Sequence, residues 1–286
     1  MYKKIVAGTD FSKTARIATD HAAALAQQLE ADLVLVHAGS DPQGQLEELA
    51  KEYEATPRAV AGNPADVLIA ETERQGADLL VVGSVGMSGA RRFLLGNVPN
   101  KVSHHSVTDL LIVKTDSPSR GTGDYKKILV GTDGSPTATR AVEMASGLAA
   151  ALGVSPVIVC AYEPPTEEEL SRYRSDPNDP VVQWKAGRTQ RETPEEFRWR
   201  IAAASQAEDI LERASSHAAQ FGAPAEVRAE EGAPADTLLA IAEEENFDLI
   251  CVGSVGMMGA QRFKLGNVPH RISHHAPTDV LILRTV

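Results

Sequence analysis

The 286-residue sequence is poor in the residues that staple or anchor a chain. Its two cysteines, Cys160 and Cys251, each sit in an apolar strand-like run, so they make no disulfide framework and are expected as buried free thiols. Aromatics are only 5%, and Ala, Val, Leu and Ile carry the apolar content, which suits helices packed on a buried sheet. The longest apolar runs, such as Leu79 to Val82 and Leu110 to Val113, are strand-sized and fall far short of the ~20 residues of a membrane span. No signal-peptide pattern is read ahead of Tyr2, and the cytoplasm is the expected compartment. Positive charge is also scarce: 28 Lys plus Arg against 39 Asp plus Glu leave a net charge of −11. This excludes long-range attraction to nucleic acid or to an anionic membrane, so any bound phosphate has to be held by local donors.

What the chain does have, it has twice. The segment from Tyr2 to Ser12 (YKKIVAGTDFS) returns as Tyr125 to Ser135 (YKKILVGTDGS), offset by 123 residues. The segment from Val82 to Pro99 (VGSVGMSGARRFLLGNVP) returns as Val252 to Pro269 (VGSVGMMGAQRFKLGNVP), offset by 170. The second copy therefore carries 47 additional residues between its two matching blocks. Such a spacing indicates a duplicated domain, since solenoid repeats have periods of about 20–50 residues. The expected division is a first domain over 1–116, a linker over 117–124 and a second domain over 125–286 with an insertion at about 163–200.

Each half alternates short apolar runs with helical patterns, which implies crossover connections and a parallel sheet. Lys4 to Gly8 and Ile128 to Gly131 read as opening strands. Ser12 and Ser135 read as helix N-caps, with Pro136 as a first helical residue. Asp32 to Ala38 matches Pro156 to Ala161. Gly62 to Asp66 (GNPAD) matches Gly232 to Asp236 (GAPAD), each opening a helix that runs to about Gln75 or Glu245. Ala77 to Gly83 and Phe247 to Gly253 lack polar interruption, as strands covered on both faces do. A short helix and a last strand follow, at Asp109 to Lys114 and at Asp279 to Arg284. Within the insertion, Pro194 to Phe221 reads as a long helix. Trp184 and Trp199 are either anchors for the extension or part of a lid or docking element.

The glycine-rich turn is the candidate site. Gly83 and Gly86 follow a buried strand, with Gly96-Asn97 nine residues beyond Gly86; Gly253, Gly256 and Gly266-Asn267 keep the same spacing. In open parallel sheets, ligands bind beyond the carboxyl ends of the strands, where this turn lies. Glycine admits positive φ and removes a side chain that would block close approach. Successive amides can then point into one concavity and hold an anion. The next helix, with Pro99 or Pro269 in its first turn, adds free N–H groups and the positive end of its dipole. The dinucleotide fingerprint fails on spacing, because Gly83, Gly86 and Gly89 are evenly three apart and follow a later strand. A P-loop fails for want of Gly-Lys-Ser/Thr.

A strand ending Gly-Thr-Asp, joined to Gly-x-x-Gly and a Gly-polar pair nine residues later, resembles the universal stress protein family. The likeness covers nearly all of both halves except insertion and linker. It implies an α/β fold of two tandem open parallel five-stranded sheets flanked by helices, adenine nucleotide alpha hydrolase-like, with strand order 3-2-1-4-5. In that order the apolar last strands form sheet edges, and an uncovered apolar edge is an aggregation hazard, so they are expected to pair with each other or with another chain. It also implies ATP along the carboxyl ends of strands 1, 2 and 4, with ADP or AMP as alternatives and Mg accompanying the nucleotide. By position, Asp10 and Asp133 face the adenosine at its ribose, Thr9 and Thr132 beside them are counted with the nucleotide-binding residues, and Ala38, Ala161, Val82 and Val252 line the adenine. Gly83, Gly86 and Gly96, with Gly253, Gly256 and Gly266, wrap the phosphates. The sequence departs from the family at Asn97 and Asn267, where Ser or Thr is usual. An asparagine amide suits a helix cap and a phosphate oxygen, while its length crowds a γ-phosphate.

Other residues have two readings. Asp10 and Asp133 are helix caps or ligands, and Arg91, Arg92 and Arg262 are solvated surface or phosphate contacts. The pairs His104-His105 and His274-His275 point about 100° apart on a helix and cannot readily chelate one ion, so no metal site is read. No catalytic residue is assigned. The functional expectation is a nucleotide-binding stress or regulatory protein acting through conformation or partner binding, with paired domains and a homodimer. The alternatives are a nucleotide-independent interaction scaffold and a slow ATPase.

Overall fold

The computed structural model describes residues 1–85, 95–115, 123–163, 168, 171, 195–256 and 265–284, with the backbone alone over 195–202. Gly86, Arg91, Arg92, Arg262, Trp184, the Trp199 side chain and most of the linker and insertion lie outside the described residues. The first half runs β1 (Lys4–Gly8), α1 (Lys13–Leu29), β2 (Asp32–Ala38), α2 (Gln45–Glu52), β3 (Thr56–Val60), α3 (Pro64–Gln75), β4 (Leu79–Gly83), α4 (Asn97–His105) and β5 (Asp109–Val113). The second runs β6 (Ile128–Gly131), α5 (Pro136–Leu152), β7 (Val157–Tyr162), α6 (Glu195–Gln220), β8 (Glu226–Glu231), α7 (Pro234–Glu244), β9 (Leu249–Gly253), α8 (Asn267–His275) and β10 (Asp279–Leu283).

The strands among the described residues belong to one ten-stranded sheet, ordered β3-β2-β1-β4-β5-β10-β9-β6-β7-β8. Each half has the expected order 3-2-1-4-5 and is parallel throughout. The expected pairing of the last strands is found: β5 and β10 run antiparallel, with Leu111 opposite Leu281. Two strand edges that would template aggregation thereby satisfy each other.

Apolar runs without alternation arise because both faces of the sheet are covered. Ile5, Leu79, Val81, Leu111 and Val113 pack toward α1 and α5, while Val6, Leu80, Val82, Leu110 and Ile112 pack on the opposite face. Each of these two cores draws residues from both halves, so the joined sheet has continuous layers. Ser12 and Ser135 cap α1 and α5 as expected, accepting from the amides of Ala15 at 3.1 Å and Ala138 at 3.2 Å. The helix expected from Pro194 to Phe221 is α6. Strands β3 and β8 and helix α2 escape the sequence reading. The two strands are outer edges bearing Thr56, Pro57 and Arg58, or Glu226, Arg228 and Glu230, residues suited to an edge rather than to a core.

Buried carboxylates at the junction tie the halves together. Asp109 accepts from Tyr2 Oη at 3.1 Å, the Arg284 amide at 2.7 Å, and Arg140 through Nη1 at 2.9 Å and Nη2 at 3.1 Å. Its counterpart Asp279 accepts from Tyr125 Oη at 2.7 Å and the Lys114 amide at 2.8 Å, with His21 Nε2 at 3.4 Å. Burial pushes the Asp279 carboxyl up, and His21 and the Lys114 amide oppose that push. Histidines also meet across the junction: the rings of His104 and His270 are 5.6 Å apart, and those of His270 and His274 are 4.5 Å apart. Burial first, then His270, His275, Lys114 and His104, lowers His274 from its ordinary 6.5 to about 4.

Three outcomes are expected. Asp109→Ala strands three donors in a buried site and should cost about 3–5 kcal/mol in chemical denaturation. Asp66→Ala, which breaks only the exposed 2.8 Å pair with Lys101, should cost less than about 1 kcal/mol. The folded state also keeps His274 neutral where the unfolded chain takes up a proton. Stability should therefore fall as pH drops from 6.5 toward about 4, and His274→Gln should make the decline in melting temperature shallower.

Candidate functional site

The two candidate sites lie at the carboxyl ends of β1, β2 and β4 and of β6, β7 and β9, and the second has a cavity beside it. Each begins where the first strand ends. The amides of Thr9 and Thr132 continue the sheet by donating to Val36 and Val159 carbonyls, both at 2.9 Å. Their hydroxyls accept from the amides of Phe11 and Gly134, both at 3.2 Å. Next, Asp10 Oδ1 accepts from the Ser12 amide and Asp133 Oδ1 from the Ser135 amide, both at 3.0 Å. These short-range bonds hold each half-buried carboxylate at the mouth of its cleft. The caps themselves are Ser12 and Ser135, so the aspartates stand outside the helix-capping role. The turn requires a left-handed residue: Phe11 has φ +62 and Gly134 has φ +75. Glycine takes that conformation without strain, and phenylalanine does not.

The glycine-rich turn closes onto the same place. Ser84 donates its amide to Val113 O at 2.7 Å and accepts at its carbonyl from the Gly96 amide at 2.8 Å. Ser254 repeats both bonds, with Leu283 O and the Gly266 amide, each at 2.8 Å. The two ends of the loop are thus clamped where α4 or α8 begins. Thr137 Oγ1 also donates to Val255 O, fixing the second loop to α5. Sequence reasoning did not single out Ser84 or Ser254, because their contribution is made by main-chain atoms.

Two expectations are corrected here. Among Gly83, Gly96, Gly253, Gly256 and Gly266, none has a left-handed φ; close approach is what singles out Gly253 and Gly256. A Cβ on Gly253 would lie 2.9 Å from the Thr137 carbonyl carbon, and one on Gly256 would lie 2.7 Å from Asp133 Oδ2. One on Gly83 would meet atoms no nearer than 3.3 Å. Second, Asn97 and Asn267 do not cap their helices: Gly96 and Gly266 hold the N-cap positions, and both asparagines are exposed at the first helical position.

Other predicted positions are less exposed to a ligand. Val82 and Val252 are buried in the core on the α3 and α7 face. Ala38 and Ala161 are half-buried at strand ends, and Ala161 lines a cavity together with Asp133. Cys160 and Cys251 are free and buried as expected, and burial, with Asp133 adding to it, pushes the Cys160 thiol up to about 12. Such a thiol is not a nucleophile at neutral pH. Among the described residues no group of three or more His, Cys, Asp or Glu could hold a metal ion, and no helix is long and apolar enough to cross a membrane.

Because main chain leaves no slack at Gly253, Gly253→Ala should destabilise the protein by about 1–3 kcal/mol in thermal or urea unfolding, as overpacking does. Gly83→Ala should cost clearly less.

The universal stress protein family model matches residues 1–61, 48–114 and 124–284. A universal stress protein of Mycobacterium tuberculosis is 32% identical over 162 residues, spanning 56% of this chain and 97% of its own length. The crystal structure of a universal stress protein from Archaeoglobus fulgidus superposes with a TM-score of 0.65 at 18% identity, covering 98% of each chain. Another universal stress protein, solved in complex with cAMP, is 32% identical over 57% of this chain and 99% of its own, with a TM-score of 0.40. With its model matched in both halves, and with the strand order and turn it requires in place, the chain belongs to the universal stress protein family.

Proposed function

We propose that the two clefts each bind an adenine nucleotide and that occupancy changes the conformation or partner binding of a regulatory stress protein. The working ligand is ATP, with ADP and AMP as alternatives. The units are a first domain over 1–116 and a second over 125–286, joined by a linker over 117–124. The observation that carries this reading is the close approach of a glycine main chain to a carboxylate at the strand end: a Cβ on Gly256 would displace Asp133 Oδ2, 2.7 Å away. A carboxylate at a strand end suits the hydroxyls of a ribose. The clamped loop and the free amides at the start of α4 and α8 suit a phosphate.

Magnitudes limit what the helix start contributes. A helix terminus is worth about 0.3–1 kcal/mol, and ~2 when partly buried. Micromolar affinity requires about 8 kcal/mol. Several main-chain donors and a buried base are therefore needed together. A metal ion accompanying the nucleotide would be held mainly by its phosphates, since Mg is typically bound through one or two carboxylates plus substrate oxygens.

Equilibrium dialysis of the full chain against ATP, ADP, AMP and cAMP tests this reading. Two equivalents of an adenine nucleotide should be retained at high micromolar concentration. Gly256→Val displaces the Asp133 carboxylate and should leave one equivalent, with an unchanged far-ultraviolet circular dichroism spectrum. No retention by the wild-type protein would favour a nucleotide-independent scaffold. Two equivalents retained by the variant would remove Gly256 and Asp133 from the site.

A further inference from the structure

The two clefts are built on the same strands but are not chemically alike. In the first half, the Phe11 ring lies 4.6 Å from the His37 ring, and His37 Nδ1 is 2.9 Å from Thr9 O. The matching positions in the second half, 123 residues on, are Gly134 and Cys160. The long helix α6 meets this thinner surface: a Cβ on Gly134 would lie 3.0 Å from Ile210 Cγ1, so a phenylalanine there would collide with α6. What the small residues leave open is a cavity of about 100 Å³ between α6 and the ends of β6 and β7. That is well above the ~10–15 Å³ that one water needs. Asp133, Ala161 and Tyr162 line it from the sheet side, and Ala203, Gln206 and Ile210 from α6.

The spacing of the α6 residues is that of one helix face. Ala203, Ala207 and Ile210 are buried, whereas Gln206 is half-buried on the same side of the helix. The carboxamide of Gln206 is thus a polar group set at the edge of an otherwise aliphatic wall. A flat heteroaromatic ring suits such a wall, and its hydrogen-bonding edge needs a partner at the rim. A glutamine amide offers a donor and an acceptor side by side, which matches the amino-and-ring-nitrogen edge of adenine. Guanine presents two acceptors at the corresponding edge, a pattern read by arginine or lysine.

We infer that the second half holds a base pocket of its own, walled by α6, in which Gln206 reads the adenine edge and so sets the purine preference of that cleft alone. The first half, with Phe11 and His37 in place, selects its ligand by other means. The inference rests on the nucleotide-binding reading given above.

Isothermal titration of the full chain with ATP and with GTP tests it, using wild type, Gln206→Leu, Ala203→Met and each variant combined with Gly256→Val. Leucine keeps the helix propensity and approximate volume of glutamine but has no amide. Gln206→Leu should reduce the preference for ATP over GTP by about tenfold at one of the two sites, within the range of one bidentate amide–base pair. Ala203→Met, which puts side-chain volume into the cavity, should weaken ATP by tenfold or more at that same site. Neither substitution should alter the remaining site in the Gly256→Val background. Binding of ATP at two sites with purine preference unchanged in Gln206→Leu would overturn this inference and leave the nucleotide reading standing. Failure of the wild-type protein to bind either nucleotide would overturn both.

Discussion

The antiparallel seam between β5 and β10 is the contact on which the rest of the molecule depends. Each half alone would end in an apolar strand with a bare row of peptide groups. Joining the two edges satisfies those groups and makes both helical layers continuous across the junction. The seam also fixes orientation. Because the halves meet antiparallel, the carboxyl ends of β1, β2 and β4 point opposite to those of β6, β7 and β9. The two candidate sites therefore lie at opposite ends of one sheet, and the buried Asp109 and Asp279 clusters between them each bind atoms from both halves.

Duplication kept the scaffold and varied its cover. The helix preceding the outer strand is eight residues long in the first half and 26 in the second. That difference reaches the cleft through a few positions. Gly134 gives α6 room to approach, and Cys160 is shorter than the His37 it replaces. A cavity appears where the first half has two rings. The Gly-Thr-Asp turn and the clamped loop are common to both halves, while the surface at the ends of β2 and β7 has diverged.

Much of this was legible in the sequence, for identifiable reasons. The repeated blocks fixed which strands and turns recur, and Ser12, Ser135 and Pro136 marked helix starts because their chemistry fits only there. The runs at Leu79 and Leu110 announced a sheet covered on both faces. Strands β3 and β8 were not legible, since an edge strand carries polar residues and shows neither alternation nor an apolar run. The role of the glycines was half legible. Their spacing located the site, but whether a glycine serves a left-handed backbone or a close approach depends on neighbours far away in sequence, such as Thr137 beside Gly253 and Asp133 beside Gly256. The contribution of α6 was invisible for the same reason, because nothing local to Gln206 shows that it meets the end of β7.

The electrostatics give the seam and the clefts complementary tasks. With a net charge of −11, the surface repels a polyanionic ligand at long range, so affinity has to be generated at close quarters. Main-chain donors at fixed positions do this well, because they need no reorganisation when the anion arrives. They are fixed only if the strands beneath them are fixed. The bond from Ser84 to Val113 and that from Ser254 to Leu283 hang each loop directly on a strand of the seam. The loops of the two candidate sites and the seam that joins the halves thus rest on the same two strands, β5 and β10, so that a displacement of either loop is felt at the junction.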